Sequence, residues 1–247
     1  MVKKASGVLL TLLVVFLFWH LIAIWLGQVF FPLPSEVLWS FHRNTIAGHL
    51  LTHFFISLGH VLLSIIISFL LAVPVGFFLG RTASLDKIFF PLIYLIYPLP
   101  KIVFLPIIVV LLGIGVLPKI LLIFLVTFFQ LLVSARDAAR DIPLQWVLSM
   151  KSLHATMWQT YCHLVWPVSL PKLFTALRIS LGSAIAVLFF AETFASTDGL
   201  GYFILDNMEK QEIPAMYAGI LAMAVLGITA YTLIDFLENI LCKWNKL

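Results

Sequence analysis

Charged residues are scarce in this chain of 247 residues. They make up 11% of it, against 62% hydrophobic residues, whereas a soluble domain carries about 25% charged residues. One water-facing domain could not bury this much apolar surface, which excludes the soluble classes of protein. Uncharged runs, such as the one from Ala5 to Ser35, exceed the ~20 residues that a helix needs to span a bilayer.

Cysteines and nucleotide-binding motifs are scarce or absent as well. Cys162 and Cys242 are the only cysteines, and they form neither a disulfide framework nor a paired metal motif. His49 and His53 have the H-x-x-x-H spacing without the acid of H-E-x-x-H, and no Gly-x-x-x-x-Gly-Lys-Ser/Thr loop occurs. We therefore expect no metal, no cofactor and no ATP site in this chain.

Apolar segments predict an all-α, polytopic membrane protein with about six transmembrane helices, since a helix satisfies all its backbone groups in lipid. The third segment contains four prolines and is expected to be broken, because proline removes a helical hydrogen bond. Without a repeat or low-complexity linker, residues 1–247 are expected to form one membrane domain. The predicted spans are 8–31, 55–80, 88–113, 118–135, 172–197 and 215–240.

Lys and Arg are concentrated in alternate loops, and this bias predicts the orientation. It also explains the net charge of +4 without a nucleic-acid partner. The outer side would hold Arg43, Lys119 and Lys210. Both termini and the loop at about 136–171 are then cytoplasmic. The inner side would hold Lys3, Lys4, Arg81, Lys87, Arg136, Arg140, Lys151, Lys172, Lys243 and Lys246.

The cytoplasmic loop contains an amphipathic pattern. Its period near 3.6 predicts a helix over 143–165, with Asp141 as its cap. Such a helix either lies flat on the membrane or docks into a groove on another protein, and the pattern alone favours neither. The apolar face consists of Val147, Met150, Met157, Tyr161 and Leu164.

Three blocks, in this order, resemble the permease subunits of bacterial ATP-binding-cassette importers, nearest to the nitrate, sulfonate and taurine group. They are PLPKIVFLPIIVVLLGIGVLPKI, VWPVSLPKLFTALRISLG and AETFASTDGLGYFI. The resemblance covers most of the chain from about Ser57 onward. It rests on Pro167, Pro171, Leu177, Arg178, Glu192, Gly199, Leu200, Gly201 and Tyr202.

The resemblance implies a non-enzymatic subunit in the bacterial inner membrane that passes a small solute inward by alternating access. It implies an ATP-binding subunit that carries the ATPase activity, an extracytoplasmic solute-binding protein and a permease homodimer in the lipid bilayer. The solute would be an anion such as nitrate or a sulfonate, with a neutral heterocycle such as a thiamine precursor as the alternative.

Two functions of another class compete with transport. An intramembrane enzyme would need a convergent catalytic set, and none is apparent at useful spacing. A scaffold protein would not need the broken third span or a docking loop.

The family's cytoplasmic loop carries a Glu-Ala-Ala segment followed by a glycine. Counting back from Pro167, the segment falls at 148–150 and the glycine at His154. Histidine is one of the few other residues enriched at positive φ, so a bend at His154 is expected. Without the glutamate, coupling to the ATPase is expected to use apolar contacts. The predicted coupling residues are Leu148, Met150, Leu153, His154 and Met157.

Ionisable residues inside or near spans are candidates for translocation, because they are costly in lipid. The candidates are Lys101, Arg178 and Glu192. Each has a structural alternative. Lys101 would lie in a protein-buried turn, Arg178 would extend to the inner interface, and Glu192 would pair with another span.

Overall fold

The computed structural model describes residues 2–27, 30–194 and 196–246, and all regular secondary structure within them is helical. Side chains are described from residue 11 onward, apart from residues 12, 245 and 246. The helices are α1 (Val2–Leu26), α2 (Pro34–Ile46), α3 (Leu50–Arg81), α4 (Ala83–Ile96), α5 (Leu105–Leu112), α6 (Val116–Arg140), α7 (Leu144–Ser152), α8 (Met157–Thr160), α9 (Trp166–Phe194), α10 (Leu200–Glu209) and α11 (Ile213–Leu241). Two 3₁₀ turns (Lys101–Phe104 and Lys243–Lys246) and a π-helical turn (Tyr161–Val165) complete the path.

Four helical segments in the described residues are long and apolar enough to span a membrane. They are α3, α6, the path from Met157 to Phe194, and α11. A fifth candidate is the pair formed by α4 and the segment Lys101–Leu112, bent by 77° at the break between them. Pro98 and Pro100 lie in this break. The prediction of a broken third span is confirmed.

The first predicted span, 8–31, overlaps α1, and its residues 28–29 lie outside the described residues. The apolar part of α1 with described side chains is Leu13–Leu26, which is shorter than the other spans. In the described chain the number of spans is therefore four, or five with the bent pair, where six are predicted.

Two details of the sequence prediction are wrong. The helix predicted over 143–165 ends at Ser152, and the chain becomes helical again at Met157, where the path toward α9 begins. Asp141 does not cap α7, because Pro143 precedes that helix and the Asp141 carboxylate binds Lys172 Nζ at 2.8 Å. Lys119, predicted on the outer side, lies in the first turn of α6 and is 2% exposed, which does not contradict that prediction.

The described contacts divide the chain into two compact units. The first consists of Met1–Ser57 and Thr197–Val225, and the second of Leu58–Ser196 and Leu226–Leu247. One boundary lies between α9 and α10, and the other two fall within α3 and α11, so each of these two helices contributes residues to both units.

In the first unit, side chains of α3 cap the start of α10. The Gly199 amide donates to His53 Nδ1 at 3.1 Å, and the Leu200 amide donates to Ser57 Oγ at 2.8 Å. These bonds satisfy amides that have no partner within the helix. Gly199 has a φ of +97°, a conformation that costs glycine little. This turn therefore requires Gly199, the first of the two glycines in the AETFASTDGLGYFI block.

In the second unit, α3 and α6 are joined by small polar side chains. Ser64 Oγ lies 2.7 Å from the His60 carbonyl oxygen and 3.2 Å from the Ile120 carbonyl oxygen, and these two acceptors share its one hydroxyl hydrogen. The hydroxyls of Ser68 and Thr127 are 2.5 Å apart. Hydroxyl bonds of this kind are favourable between helices in lipid, where the alternative is an unsatisfied polar group.

Glycine allows α3 to approach α6 closely. A Cβ on Gly76 would lie 2.7 Å from the Leu132 carbonyl oxygen and 2.7 Å from Ala135 Cβ. Small residues at helix interfaces permit such contacts and the dispersion energy that they bring. The backbone of α6 cannot move away here without disturbing its buried face, which includes Leu131 and Leu132.

We expect Gly76→Ala to lower the free energy of unfolding by about 1–3 kcal/mol, the usual cost of overpacking. The measurement is the midpoint of thermal aggregation of the purified chain in detergent. Gly59→Ala is the matched control in the same helix, because its Cβ would meet no atom within 4 Å. Equal midpoints for the two variants would show that the close approach of α3 to α6 is not needed.

Candidate functional site

A cavity of about 390 Å³ lies where the broken span meets α6 and α9. Its wall includes the turn from Tyr97 to Ile102, together with apolar side chains of α6 and α9. The polar side chains in the wall are Tyr97, Lys101, Gln130 and Ser183. A concave apolar site with a few convergent polar groups is typical of small-molecule binding.

Lys101 donates hydrogen bonds to backbone carbonyls at the break between α4 and the turn Lys101–Phe104. Its Nζ donates to the Ile96 carbonyl at 3.0 Å and also to the Tyr97 carbonyl. These carbonyls close α4, and the last carbonyls of a helix have no partner within it. The negative end of the helix dipole also favours a cation there. Lys101 is 9% exposed, which agrees with the alternative in which it lies in a protein-buried turn.

The ammonium of Lys101 has no carboxylate within salt-bridge distance among the described residues. Its other contacts are the faces of Tyr97 and Phe129, whose ring centroids are 5.6 and 5.3 Å from Nζ. An ammonium carries three N–H donors, and carbonyls take two of them. One donor and a net positive charge are left at the wall of the cavity.

Glu192 does not line the cavity. It is fully buried, and its Oε1 lies 3.2 Å from Nδ1 of His60, which is also buried. This bond joins α9 to α3. This contact agrees with the alternative in which Glu192 pairs with another span.

Arg178 does not line the cavity either. Its guanidinium binds the Glu238 carboxylate and lies 3.6 Å from Asp235 Oδ1. The residue therefore joins α9 to α11. Lys101, Arg178 and Glu192 thus occupy three separate environments, and only Lys101 faces the cavity.

The segment after α6 bends at His154, as predicted. Its φ is +55°. The Ala155 amide donates to the Met150 carbonyl at 3.0 Å, and the His154 amide donates to the Lys151 carbonyl at 2.9 Å. This pair of bonds is the Schellman arrangement that closes a helix with a left-handed residue, usually glycine. Here histidine occupies that position.

The chain resumes its helix immediately after the bend through a capping box. The Gln159 amide donates to Thr156 Oγ1 at 3.2 Å, and the Thr156 amide donates to Gln159 Oε1 at 2.8 Å. Such reciprocal bonds satisfy free amides at a helix start. The bend is therefore fixed by hydrogen bonds on both sides.

Several apolar side chains at this bend are exposed. Leu153 and Met157 are 77% and 76% exposed, and Leu148 is 49% exposed. Met150 is half-buried, while Val147 is buried and anchors α7. His154 is exposed. Four of the five predicted coupling residues thus present an exposed surface.

An ionic cluster holds the end of α6 from which this segment leaves. Arg136 binds both oxygens of Asp86, at 2.7 and 2.5 Å, and Asp137 at 2.6 Å. Its guanidinium also lies 3.7 Å from the ring centroid of Phe90, and Arg140 binds Asp86 at 3.2 Å. Planar, bidentate pairing of this kind fixes the geometry of α4 against α6.

The family profile described as binding-protein-dependent transport system inner membrane component matches residues 72–243. The chain belongs to this family. It is a permease of the ATP-binding-cassette importers, and it is a multi-pass membrane protein. The predicted family, all-α fold and transport function are confirmed.

Named relatives agree with this membership. The taurine transport system permease protein TauC of Escherichia coli (strain K12) is 30% identical over 227 residues, 89% of this chain and 82% of the relative. The formylaminopyrimidine transport permease protein ThiX of Halalkalibacterium halodurans is 27% identical over 235 residues, 95% of this chain and 94% of the relative.

Solved structures support the fold of the permease. It matches a chain of the inward-facing MetNI methionine ABC transporter with a TM-score of 0.69 and 18% identity, over 80% of this chain and 98% of that one.

Sequence reasoning missed three polar members of the permease cavity, Tyr97, Gln130 and Ser183. Gln130 carried a signal, since it interrupts the apolar run of α6. Serine and tyrosine are common in membrane helices and gave none. The pairing of Arg136 with Asp86 was also missed, because the two residues are far apart in sequence and only the α4–α6 contact brings them together.

We expect His154→Val to open the bend of the permease, because the left-handed conformation costs about 1–2 kcal/mol in residues with a bulky Cβ. Hydrogen exchange at Ala155 should become about tenfold faster, while His154→Gly should leave it unchanged or slower. Leu153→Val is the control, since φ is −80° there. Equal exchange in all three variants would contradict the assigned role of the bend.

Proposed function

We propose that this permease, acting as one domain over residues 1–247, moves a small anionic solute inward by alternating access. A separate ATP-binding subunit supplies the energy, and an extracytoplasmic binding protein delivers the solute. The observation that carries the proposal is the uncompensated cation of Lys101 in a cavity at the broken span. Family membership supports the assembly with these partners.

The surface at the His154 bend is proposed as the ATPase contact. Exposed Leu148, Leu153 and Met157 offer apolar area, and an apolar helix surface of this kind docks into a groove on a partner. The path from Met157 to Phe194 is one helical span, so a push on the bend acts directly on a wall of the cavity. Rigid-body movement of spans is a common way to switch access.

A photo-crosslinking amino acid in place of Met150 or His154 is expected to capture the ATP-binding subunit in membranes that contain both proteins. The product is identified by mass spectrometry of the crosslinked band. Val110, which is 84% exposed on α5, is the control position and should give no such product. Absence of the product at every position of α7 would contradict the coupling assignment.

The Lys101 cavity is proposed as a station on the solute pathway. An anion entering it would meet the remaining ammonium donor of Lys101, with Gln130 and Ser183 in the same wall. Hydrogen bonds to a charged group contribute about 1.5–3 kcal/mol. Glu192 and Arg178, the other predicted translocation residues, are proposed to position α9 through His60 and Glu238.

We expect Lys101→Gln to lower uptake of an anionic solute into vesicles by about tenfold or more, whereas Lys101→Arg keeps most of it. The measurement is ATP-dependent uptake by the assembled importer. Thermal stability of each variant is measured in parallel, because Lys101 also satisfies the break. Lys87→Gln, an exposed basic residue on α4, is the control. Unchanged uptake in a stable Lys101→Gln importer would contradict the pathway assignment.

A neutral heterocycle is the second candidate solute, and the similarity to a formylaminopyrimidine permease favours it. The taurine permease relative favours an anion, as does the charge of Lys101. With a neutral solute, the Lys101→Gln importer would retain its uptake.

The proposed orientation places both termini, and the bend at His154, in the cytoplasm of a bacterial inner membrane. The bias of Lys and Arg supports it. A second copy of the permease is proposed to complete the membrane part of the importer as a homodimer.

A further inference from the structure

A second cavity, of about 590 Å³, lies between α3 and the segment that runs from α8 to the start of α9. Its walls include Phe77 and Phe78 of α3 and Trp158, Tyr161, Cys162 and Trp166. The volume is within the range of about 300–1,000 Å³ of small-molecule sites. This aromatic groove shares no lining residue with the Lys101 cavity.

The π-helical turn Tyr161–Val165 shapes one wall of the groove. Its wider turn is closed by the Trp166 amide, which donates to the Tyr161 carbonyl. Tyr161 and Trp166 are one π-helical turn apart, and both line the groove together with Cys162. The Trp166 ring meets Phe69 and Phe77 edge to face, each at 6.2 Å. π-Helical turns are rare and often mark functional sites.

A cation, Arg81, lies on the same face of α3 as Phe77 of the groove wall. Arg81 is four residues beyond Phe77 in α3, and residues at this spacing share a helix face. Its guanidinium is close enough to the Tyr161 hydroxyl for a Coulombic interaction. The one hydrogen bond of Arg81 within the described residues is a long one, 3.5 Å, to the Ala139 carbonyl. Asp86, an acidic residue that follows α3, is engaged by Arg136 and Arg140.

We propose that this aromatic groove binds an anionic phospholipid, with an acyl chain against the aromatic side chains and the phosphate on Arg81. The positive charge of Arg81 beside an apolar groove favours a ligand with an apolar chain and an anionic head group. The groove is apolar, it belongs to spans in a bilayer, and its cation lacks a carboxylate partner in the described chain. Arginine binds phosphate through a planar fork of donors, and basic pockets between membrane helices bind anionic head groups.

The proposal goes beyond solute transport and does not depend on the identity of the solute or of the ATPase. A bound lipid would contact Trp158 and Tyr161, which lie between the His154 bend and α9. It would therefore pack against the chain at the π-helical turn that joins α8 to α9.

The test uses the purified full-length chain in detergent, titrated with phospholipids brominated in the acyl chain, which quench nearby tryptophans. Brominated phosphatidylglycerol is expected to quench at about fivefold lower concentration than brominated phosphatidylcholine, the effect of one basic residue at a membrane surface. The difference should vanish in Trp158→Phe/Trp166→Phe. Unbrominated phosphatidylglycerol should reverse the quenching in the unaltered protein.

Arg81→Gln should remove the preference for phosphatidylglycerol, and Lys87→Gln should keep it, since Lys87 is exposed on α4 and does not share the helix face of Phe77. Equal quenching by both lipids in the unaltered protein would overturn the proposal. So would a preference that persists in Arg81→Gln or in the double tryptophan variant. The competition in the unaltered protein decides the matter if Arg81→Gln does not fold.

Discussion

A helix that breaks inside a bilayer leaves carbonyl oxygens with no partner, and the fold of the second unit depends on how this is resolved. Lipid offers no donor, so the protein must supply one. Lys101 does so by donating to the carbonyls of Ile96 and Tyr97 at the end of α4. The bend of 77° can then persist, and the space beside it becomes the cavity between α6 and α9.

The use of Lys101 to bind these carbonyls leaves a buried positive charge, and this charge defines the chemistry of the cavity. A charge that satisfies two neutral carbonyls remains a charge, and nothing acidic among the described residues neutralises it. Three other buried or half-buried ionisable residues of the second unit are paired: Glu192 with His60, Arg178 with Glu238, and Arg136 with Asp86. The contrast separates side chains that join helices from the one that we propose meets the solute.

The sequence predicted the general architecture well, because composition and proline spacing act locally. Apolar runs identified α3, α6 and α11, and prolines identified the break before Lys101. Histidine in place of glycine predicted the bend at His154. The apolar pattern over 143–165 predicted one helix incorrectly. Val147 and Met157 fit one helical repeat in the sequence, but they lie in two different helices. Periodicity cannot detect a left-handed residue between them.

Contacts between distant segments were not predictable from one sequence. The bonds of His60 to Glu192 and of Arg136 to Asp86 depend on the register of helices packed in three dimensions. The cavity residues Gln130 and Ser183 share a wall only because α6 and α9 are adjacent. The same holds for the groove, since Arg81 and Trp166 carry no local mark of a common site.

The π-helical turn at Tyr161–Val165 places one extra residue in a path that otherwise follows α-helical geometry. Each residue of an α-helix turns the chain by about 100°. Deleting one residue here would rotate Trp158, the His154 bend and α7 around the axis of α9 by that angle. The turn therefore acts as an angular offset that sets the direction in which the bend faces. A chain of this family could redirect its contact surface by gaining or losing one residue, with α9 and the cavity unchanged.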